Sequence, residues 1–229
     1  IPLCVCVCVW LAGCSRADPP EPLPTLTEVA QTVQFASTDK LGPHHYLATV
    51  ERTEHVDGQE GTVTEEAVDI RWQDWDNFSY TRSVDGRTIS GVTVVGGRAW
   101  VQNGANTKWK RKDDAEPYRV RLRATWNAWD FALEPFLGRI EFKEEEHSLI
   151  EGRPAVRYSL GLPQAEMGDS LSGHAWLDEA TAVRLEAEVD GLVISEGGKR
   201  AIRLSLIRTG IGQVQTIIRP GRKGKQGKK

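Results

Sequence analysis

The chain has 229 residues, of which 39% are hydrophobic and 27% charged. This balance is typical of a folded domain rather than a disordered chain. The net charge is −3, but the segment after Ile218 holds six basic residues and no acid, so the rest of the chain sums to −9. An acidic body argues against nucleic acid as a partner. All four cysteines lie within the first 14 residues, which excludes a disulfide framework or a cysteine metal site in the body.

The first 13 residues carry no charge and are mostly apolar. A helix of that length reaches about 20 Å, which is too short for a hydrocarbon core of about 30 Å, so residues 1–13 are predicted to be a signal peptide. Because Met167 is the one methionine and no basic leader precedes the apolar run, we expect the chain to be truncated at its start.

A cysteine at the end of this apolar run resembles a lipidation site. Positions 11–14 read Leu-Ala-Gly-Cys and match the lipobox of bacterial lipoproteins. The resemblance implies that Cys14 receives a diacylglycerol and acyl chains such as palmitate, and that residues 14–24 are a lipidated tether. In enterobacterial lipoproteins an Asp after this cysteine retains the protein at the inner membrane, so Ser15 implies the periplasmic face of the outer membrane. An ordinary secretion signal with an incidental cysteine is the alternative.

Residues 25–36 are predicted to form a short amphipathic helix. Thr25 and Glu28 make a capping box directly after a proline. The apolar residues that follow fall on one helical face, namely Leu26, Val29, Ala30 and Val33.

Between His44 and Lys112 the apolar residues recur with period two. Tyr46 and Val68 each begin such a series, and turn signals such as Asp-Gly at positions 85–86 separate the runs. This stretch is therefore predicted to be a meander of about six strands.

Between Pro117 and Glu134 the spacing becomes helical. Pro117 suits the first turn of a helix, and Pro135 should end or bend it. The apolar residues recur three or four positions apart, at Tyr118, Leu122, Trp126, Trp129, Leu133 and Phe136.

Alternation then resumes, as is typical of an antiparallel sheet with one covered face. The later strands are predicted at 156–162, 183–189, 202–206 and 214–218. We predict an α+β domain over residues 25–218: a strongly curved antiparallel sheet of about ten strands, an open half β-barrel, with two or three helices on its concave side.

Residues 219–229 are predicted to be a disordered basic tail, which could also be attracted to anionic head groups.

Three polar motifs give weak signals for a metal site. Adjacent strand residues face opposite sides, which separates His44 from His45. Glu144 to His147 holds a single E-x-x-H step, whereas di-iron bundles need two on long helices. Residues 74–77 lack the glycine and distal glutamate of a calcium loop. We therefore expect no metal, cofactor or enzymatic activity, although a catalytic triad assembled by the fold would escape sequence motifs.

Seven tryptophans after the signal peptide concentrate in the central strands and the helix. They predict either simple core packing or a groove of large apolar side chains that accepts acyl chains, and the two can coexist. The residues predicted to line such a cavity are Trp72, Phe78, Tyr80, Trp100, Tyr118, Leu122, Trp126, Trp129, Leu133, Phe136, Tyr158, Leu160 and Leu185.

The order of these elements resembles a known superfamily. The stretches that carry the likeness are 72–78, 94–100, 152–158 and 173–178, together with the lipobox, the tether and the two helices. They resemble the outer-membrane lipoprotein carriers and receptors and the related mycobacterial lipoproteins that carry glycolipids. The resemblance covers most of Thr25 to Ile218 and implies an open half-barrel whose helices cover a hydrophobic cavity.

The function implied by this resemblance is that of a lipid-anchored carrier or receptor for the acyl chains of lipids or lipoproteins. The anchor favours the receptor or glycolipid-carrier branch over a free periplasmic shuttle. The alternative is a structural or partner-binding envelope lipoprotein with a filled core and no ligand. We expect a monomer that contacts the membrane through its anchor.

Overall fold

A computed structural model describes residues 38–56, 59, 61–126, 132–136, 138–163 and 168–221. The predicted signal peptide, the lipidated tether, the helix at 25–36 and the tail from residue 222 lie outside these residues and stay predictions. None of the helices in the described ranges combines the length and apolar character needed to cross a membrane.

Eleven β-strands dominate the described part of the chain. They are β1 (His44–Val56), β2 (Thr62–Asp74), β3 (Asn77–Val84), β4 (Arg87–Val95), β5 (Arg98–Gln102), β6 (Lys110–Lys112), β7 (Glu141–Ile150), β8 (Arg153–Gly161), β9 (Ser170–Asp178), β10 (Arg184–Ser195) and β11 (Gly198–Thr209).

All eleven strands form one open sheet in the order β6-β5-β4-β3-β2-β1-β11-β10-β9-β8-β7. Neighbours in the sheet are mostly neighbours in the chain and pair antiparallel. The exception is the antiparallel pair of β1 and β11, which joins the first and last strands at the middle of the sheet. The segment between β6 and β7 therefore carries the chain from one edge of the sheet to the other.

Period-two alternation gives the sheet one apolar side. Tyr46, Ala48 and Val50 of β1 are at most 4% exposed, and Ile70 of β2 lies opposite Tyr46. Because residues two apart in a strand point the same way, these side chains share a side with the buried residues of the other strands. We call this side the core face and the opposite side the outer face.

One α-helix, α1 (Glu116–Trp126), packs on the core face in the described part of the chain. The prediction of two or three helices is wrong for these residues. Of the predicted helix over 117–134, residues 117–126 and residue 132 are helical, and Leu133 and Phe136 reach the core beside and within a 3-10 turn, Glu134–Phe136, that interrupts the α-helical pattern. The spacing of three between Leu133 and Phe136 fits a 3-10 turn as well as an α-helix. Pro135 lacks a backbone N–H and therefore favours a break in the α-helix at this point.

The last predicted strand, 214–218, is also wrong, since these described residues form no strand. Both sides of β11 are already occupied by β1 and β10, so a following strand finds no free place beside it. Instead, the backbone N–H of Gln215 donates to Oε1 of Gln73 at 2.8 Å. Further on, the guanidinium of Arg219 lies 5.3 Å from the ring centroid of Trp100.

Candidate functional site

Most of the predicted cavity-lining residues lie together in the core. The described lining side chains are almost fully covered, so in this conformation the protein's own atoms fill the positions beside them that an acyl chain would take. Tyr118 packs against the same cluster and is half-buried. Nine of the thirteen residues are at most 4% exposed members of this cluster: Trp72, Phe78, Tyr80, Leu122, Trp126, Leu133, Phe136, Tyr158 and Leu160.

The remaining three predicted residues are placed differently. Trp129 lies outside the described residues. Trp100 follows the buried Ala99 on β5 and therefore points to the outer face. Leu185 lies at a register shift next to Arg184 and belongs to a separate, smaller apolar cluster. Such an irregularity breaks the alternation on which the prediction relied.

Aromatic rings fasten α1 to one end of the core face. The ring of Trp126 lies edge-on to Trp72 and Trp75, with centroid distances of 5.8 Å and 5.7 Å. It also stacks on the ring of His44 at 6.1 Å. Each such aromatic pair contributes about 0.5–1.5 kcal/mol beyond the burial of its area. These contacts therefore hold Trp126, the last residue of α1, against the sheet.

Two arginines tie α1 to the turn between β2 and β3. Nε of Arg119 donates to the carbonyl oxygen of Trp75 at 2.9 Å, and Nη2 donates to Oδ1 of Asp76 at 2.5 Å. The guanidinium of Arg123 lies 4.5 Å from the ring centroid of Trp75. Because the carboxylate of Asp76 is well exposed, its ion pair adds at most about 1 kcal/mol.

His44 is a neutral imidazole inside the core. Its Nδ1–H donates to the carbonyl oxygen of Gly42 at 2.8 Å, which leaves Nε2 as a lone-pair acceptor. Burial, and to a smaller extent the charge of Arg208, lowers the pKa of His44 to about 4. Nε2 is buried and receives no hydrogen bond from any part of the chain that the structure describes.

Arg208 is a fully buried cation on the core face. It lies opposite Tyr46 across the pair of β1 and β11, and its guanidinium is 4.6 Å from the ring centroid of Tyr46. Nη1 donates to the carbonyl oxygen of Arg184. Nε and Nη2 are buried and have no hydrogen-bond partner among the described residues. Burial lowers the pKa of Arg208 to about 10, so the side chain stays charged at neutral pH.

The alternation of residues on β11 gives a signal for Arg208 that no sequence motif carries. Ile202, Leu204 and Leu206 alternate on β11, and the next position of the same series is Arg208. A basic residue at a core position of an alternating strand is unusual, because a buried charge costs free energy unless it is paired. The same reasoning identifies His44, two residues before Tyr46 on β1.

The other histidine motifs lie on the surface. Nδ1 of His147 donates to Oε1 of Glu179 at 2.8 Å, and Nε2 donates to Oε1 of Glu144 at 3.2 Å. These hydrogen bonds, that of Glu179 first, raise the pKa of His147. His45 faces away from His44, and its Nε2 lies 3.0 Å from Oδ1 of Asp69. Within the described ranges, no group of three or more His, Cys, Asp or Glu could hold a metal ion.

No protein-family model matches this chain, and neither does any curated protein sequence. Forty-eight chains of solved structures resemble it. A LolA superfamily protein from Nitrosomonas europaea is 9% identical with a TM-score of 0.24, over 79% of this chain and 89% of that one. A DUF1329 family protein from Desulfovibrio piger is 12% identical with a TM-score of 0.26, over 81% and 91%.

A third likeness is to a chain of the MucA/MucB complex of Pseudomonas aeruginosa. It is 13% identical with a TM-score of 0.28, over 84% of this chain, which spans 63% of the length of that one. A LolA superfamily protein thus stands among the solved structures that resemble this chain. Because the three TM-scores lie below 0.5 and the identities below 25%, these likenesses assign neither a family nor a function.

Proposed function

We propose that this protein is a lipid-anchored, non-catalytic envelope protein that binds acyl chains of lipids or lipoproteins on the core face. One observation carries the proposal: a long apolar sheet face is covered, in the described part of the chain, by an 11-residue helix and a short turn. We call α1 together with residues 132–136 the cover. A ligand would take the places of the cover's own side chains rather than enter an open cavity.

The energies of this exchange favour reversible binding. A palmitoyl chain buries about 15 methylenes at about 0.8 kcal/mol each, or roughly 12 kcal/mol. Exposing Leu122, Trp126, Leu133 and Phe136 would cost about 1.5–3 kcal/mol each, or roughly 6–12 kcal/mol in total. The gain exceeds this cost by at most about 6 kcal/mol, from which the aromatic contacts of Trp126 and the ordering of the ligand must still be subtracted. Such a binder would hold an acyl chain and release it to a partner or a membrane.

The ring of Phe136 in the cover packs against the backbone of β10 at Gly191. A methyl group on Gly191 would lie 2.7 Å from two ring carbons of Phe136. Only a residue without a side chain leaves room for the ring there. Replacing Gly191 with alanine should therefore push the ring of Phe136, and with it this part of the cover, away from the sheet.

Acyl binding is tested with the full chain carrying Cys14→Ser, which removes the proposed covalent lipid. Stearate with a nitroxide on its chain should quench the fluorescence of Trp72 and Trp126, and native mass spectrometry should record one added lipid mass. Trp72→Phe should reduce the quenching, whereas Trp109→Phe is the matched control because Trp109 is 36% exposed. A clean apo mass together with unquenched fluorescence would contradict the proposal.

The proposed anchor and location are tested by fractionation. In cells that process lipoproteins, Cys14→Ser should move the protein from the membrane to the soluble periplasmic fraction. Ser15→Asp should move it from the outer to the inner membrane. Membrane retention of the Cys14→Ser variant would refute lipidation at this residue.

The second candidate function is a structural or partner-binding lipoprotein with a filled core. It is favoured by the closed packing, since nine of the predicted lining residues are already at most 4% exposed. The two candidates differ in the response to Gly191→Ala. An acyl binder whose cover is loosened should take up stearate faster, whereas a filled core should only lose stability.

A further inference from the structure

Arg208 differs from the partly buried arginines that form ion pairs in the described part of the chain. Arg119, Arg139 and Arg153 each have a side chain 23–30% exposed, and each is paired with at least one carboxylate. Arg208 is fully buried, yet no ion pair to a carboxylate is found for it in the described part of the chain. Its neighbours are the ring of Tyr46 and the carbonyl oxygen of Arg184. A desolvated guanidinium without a counter-ion is costly, which suggests that its partner is a ligand.

The two unpaired atoms of Arg208 are those that bind an oxyanion side-on. Nε and Nη2 carry parallel N–H groups on the same edge of the guanidinium, and this fork matches the two oxygens of a carboxylate or phosphate. The same protein uses this edge elsewhere. Nε and Nη2 of Arg153 donate to Oδ1 and Oδ2 of Asp178 at 2.6 Å and 3.1 Å.

The position of Arg208 fits the polar end of an amphipathic ligand. It ends the core-face series of Ile202, Leu204 and Leu206 on β11. Six residues of strand span roughly 20 Å, comparable with an extended fatty acyl chain. Beside it, Trp126 of the cover closes this end of the core face over His44. Lifting the cover would therefore uncover His44, whose pKa the nearby charge of Arg208 helps to lower, and open the apolar side of the sheet at the end where the cation lies.

We infer that Arg208 is the head-group site of an acyl ligand with an anionic end, binding two oxygens of its carboxylate or phosphate through Nε and Nη2. This inference rests on the proposed function and adds the charge class of the ligand to it. The unpaired Nε2 of His44 offers the same end an acceptor for a hydroxyl group of the ligand.

The test compares decanoate, decyl phosphate and 1-decanol as ligands of the full Cys14→Ser chain, by isothermal titration calorimetry. The anions should bind at least tenfold more tightly than the alcohol, and the tighter of the two anions identifies the head group as carboxylate or phosphate. Arg208→Met should weaken anion binding at least tenfold and leave decanol unchanged. Arg208→Lys keeps the charge but loses the fork, and it should give an intermediate affinity.

Arg203→Met is the matched control on the same strand. Its Nε lies 2.9 Å from Oδ1 of Asp190 on the outer face, and its side chain is 69% exposed. This variant should bind all three ligands as the parent does. If anions and decanol bind equally and Arg208→Met changes neither, the head-group site is refuted and acyl binding stands. If none of the three ligands binds, both proposals fail.

Discussion

Replacing Arg208 with Met should leave the protein as stable as before or more stable. Burial lowers the pKa of Arg208 to about 10, which corresponds to roughly 3 kcal/mol of disfavoured charge in the folded state. Met retains the unbranched stem and removes the charge. The variant loses the contact with Tyr46, about 1–2 kcal/mol, and the hydrogen bond to Arg184, about 1 kcal/mol. The sum predicts a change in the free energy of unfolding between zero and a gain of about 1 kcal/mol.

The assay is urea unfolding followed by tryptophan fluorescence, with the m-values of both proteins compared to confirm that the transition is the same. Arg203→Met is again the control, and its exposed pair with Asp190 should change the free energy of unfolding by less than about 0.5 kcal/mol. An arginine that serves the fold alone behaves differently, because removing one partner of a satisfied buried network costs about 3–5 kcal/mol. A loss of that size for Arg208→Met would refute the assignment of Arg208 to a ligand.

Two further predictions concern the cover and the buried histidine. Gly191→Ala should lower the free energy of unfolding by about 1–3 kcal/mol, because its methyl group displaces the ring of Phe136. Gly197→Ala should cost little, because its methyl group would meet none of the described atoms within 4 Å. Equal losses for the two variants in urea unfolding would contradict the account of the cover. The pKa of His44 falls from 6.5 to about 4 on folding, so between these pH values the unfolded chain takes up a proton that the folded protein does not. The free energy of unfolding should therefore decrease as the pH falls from about 6.5 to 4. The decrease is at most about 1.4 kcal/mol per pH unit. His44→Gln should remove this component, so a stability difference between parent and variant that is constant from pH 7.5 to 4.5 would refute it.

The residues of the candidate site divide into those that alternation could identify and those that it could not. Tyr46, Trp72 and Tyr80 stand at regular period-two positions, so the sequence indicated their common side. Trp100 lies one position off that side on a short strand, where a single-residue error in phase reverses the direction of a side chain. Leu185 was misplaced by a register shift, which depends on the pairing of β9 with β10 and leaves no local trace.

The sequence by itself determined the local structure and the apolar pattern of most strands. Alternation of apolar and polar residues follows from the strand backbone, and the helical spacing after Pro117 follows from the α-helix, so both are local. The tertiary structure alone decided which strands became neighbours. It paired β11 with β1 as well as with β10, so both edges of β11 are occupied. Residues 214–218 therefore form no strand beside it in the described chain. It also buried Arg208 beside Tyr46, because residues far apart in the chain meet only once the sheet has formed.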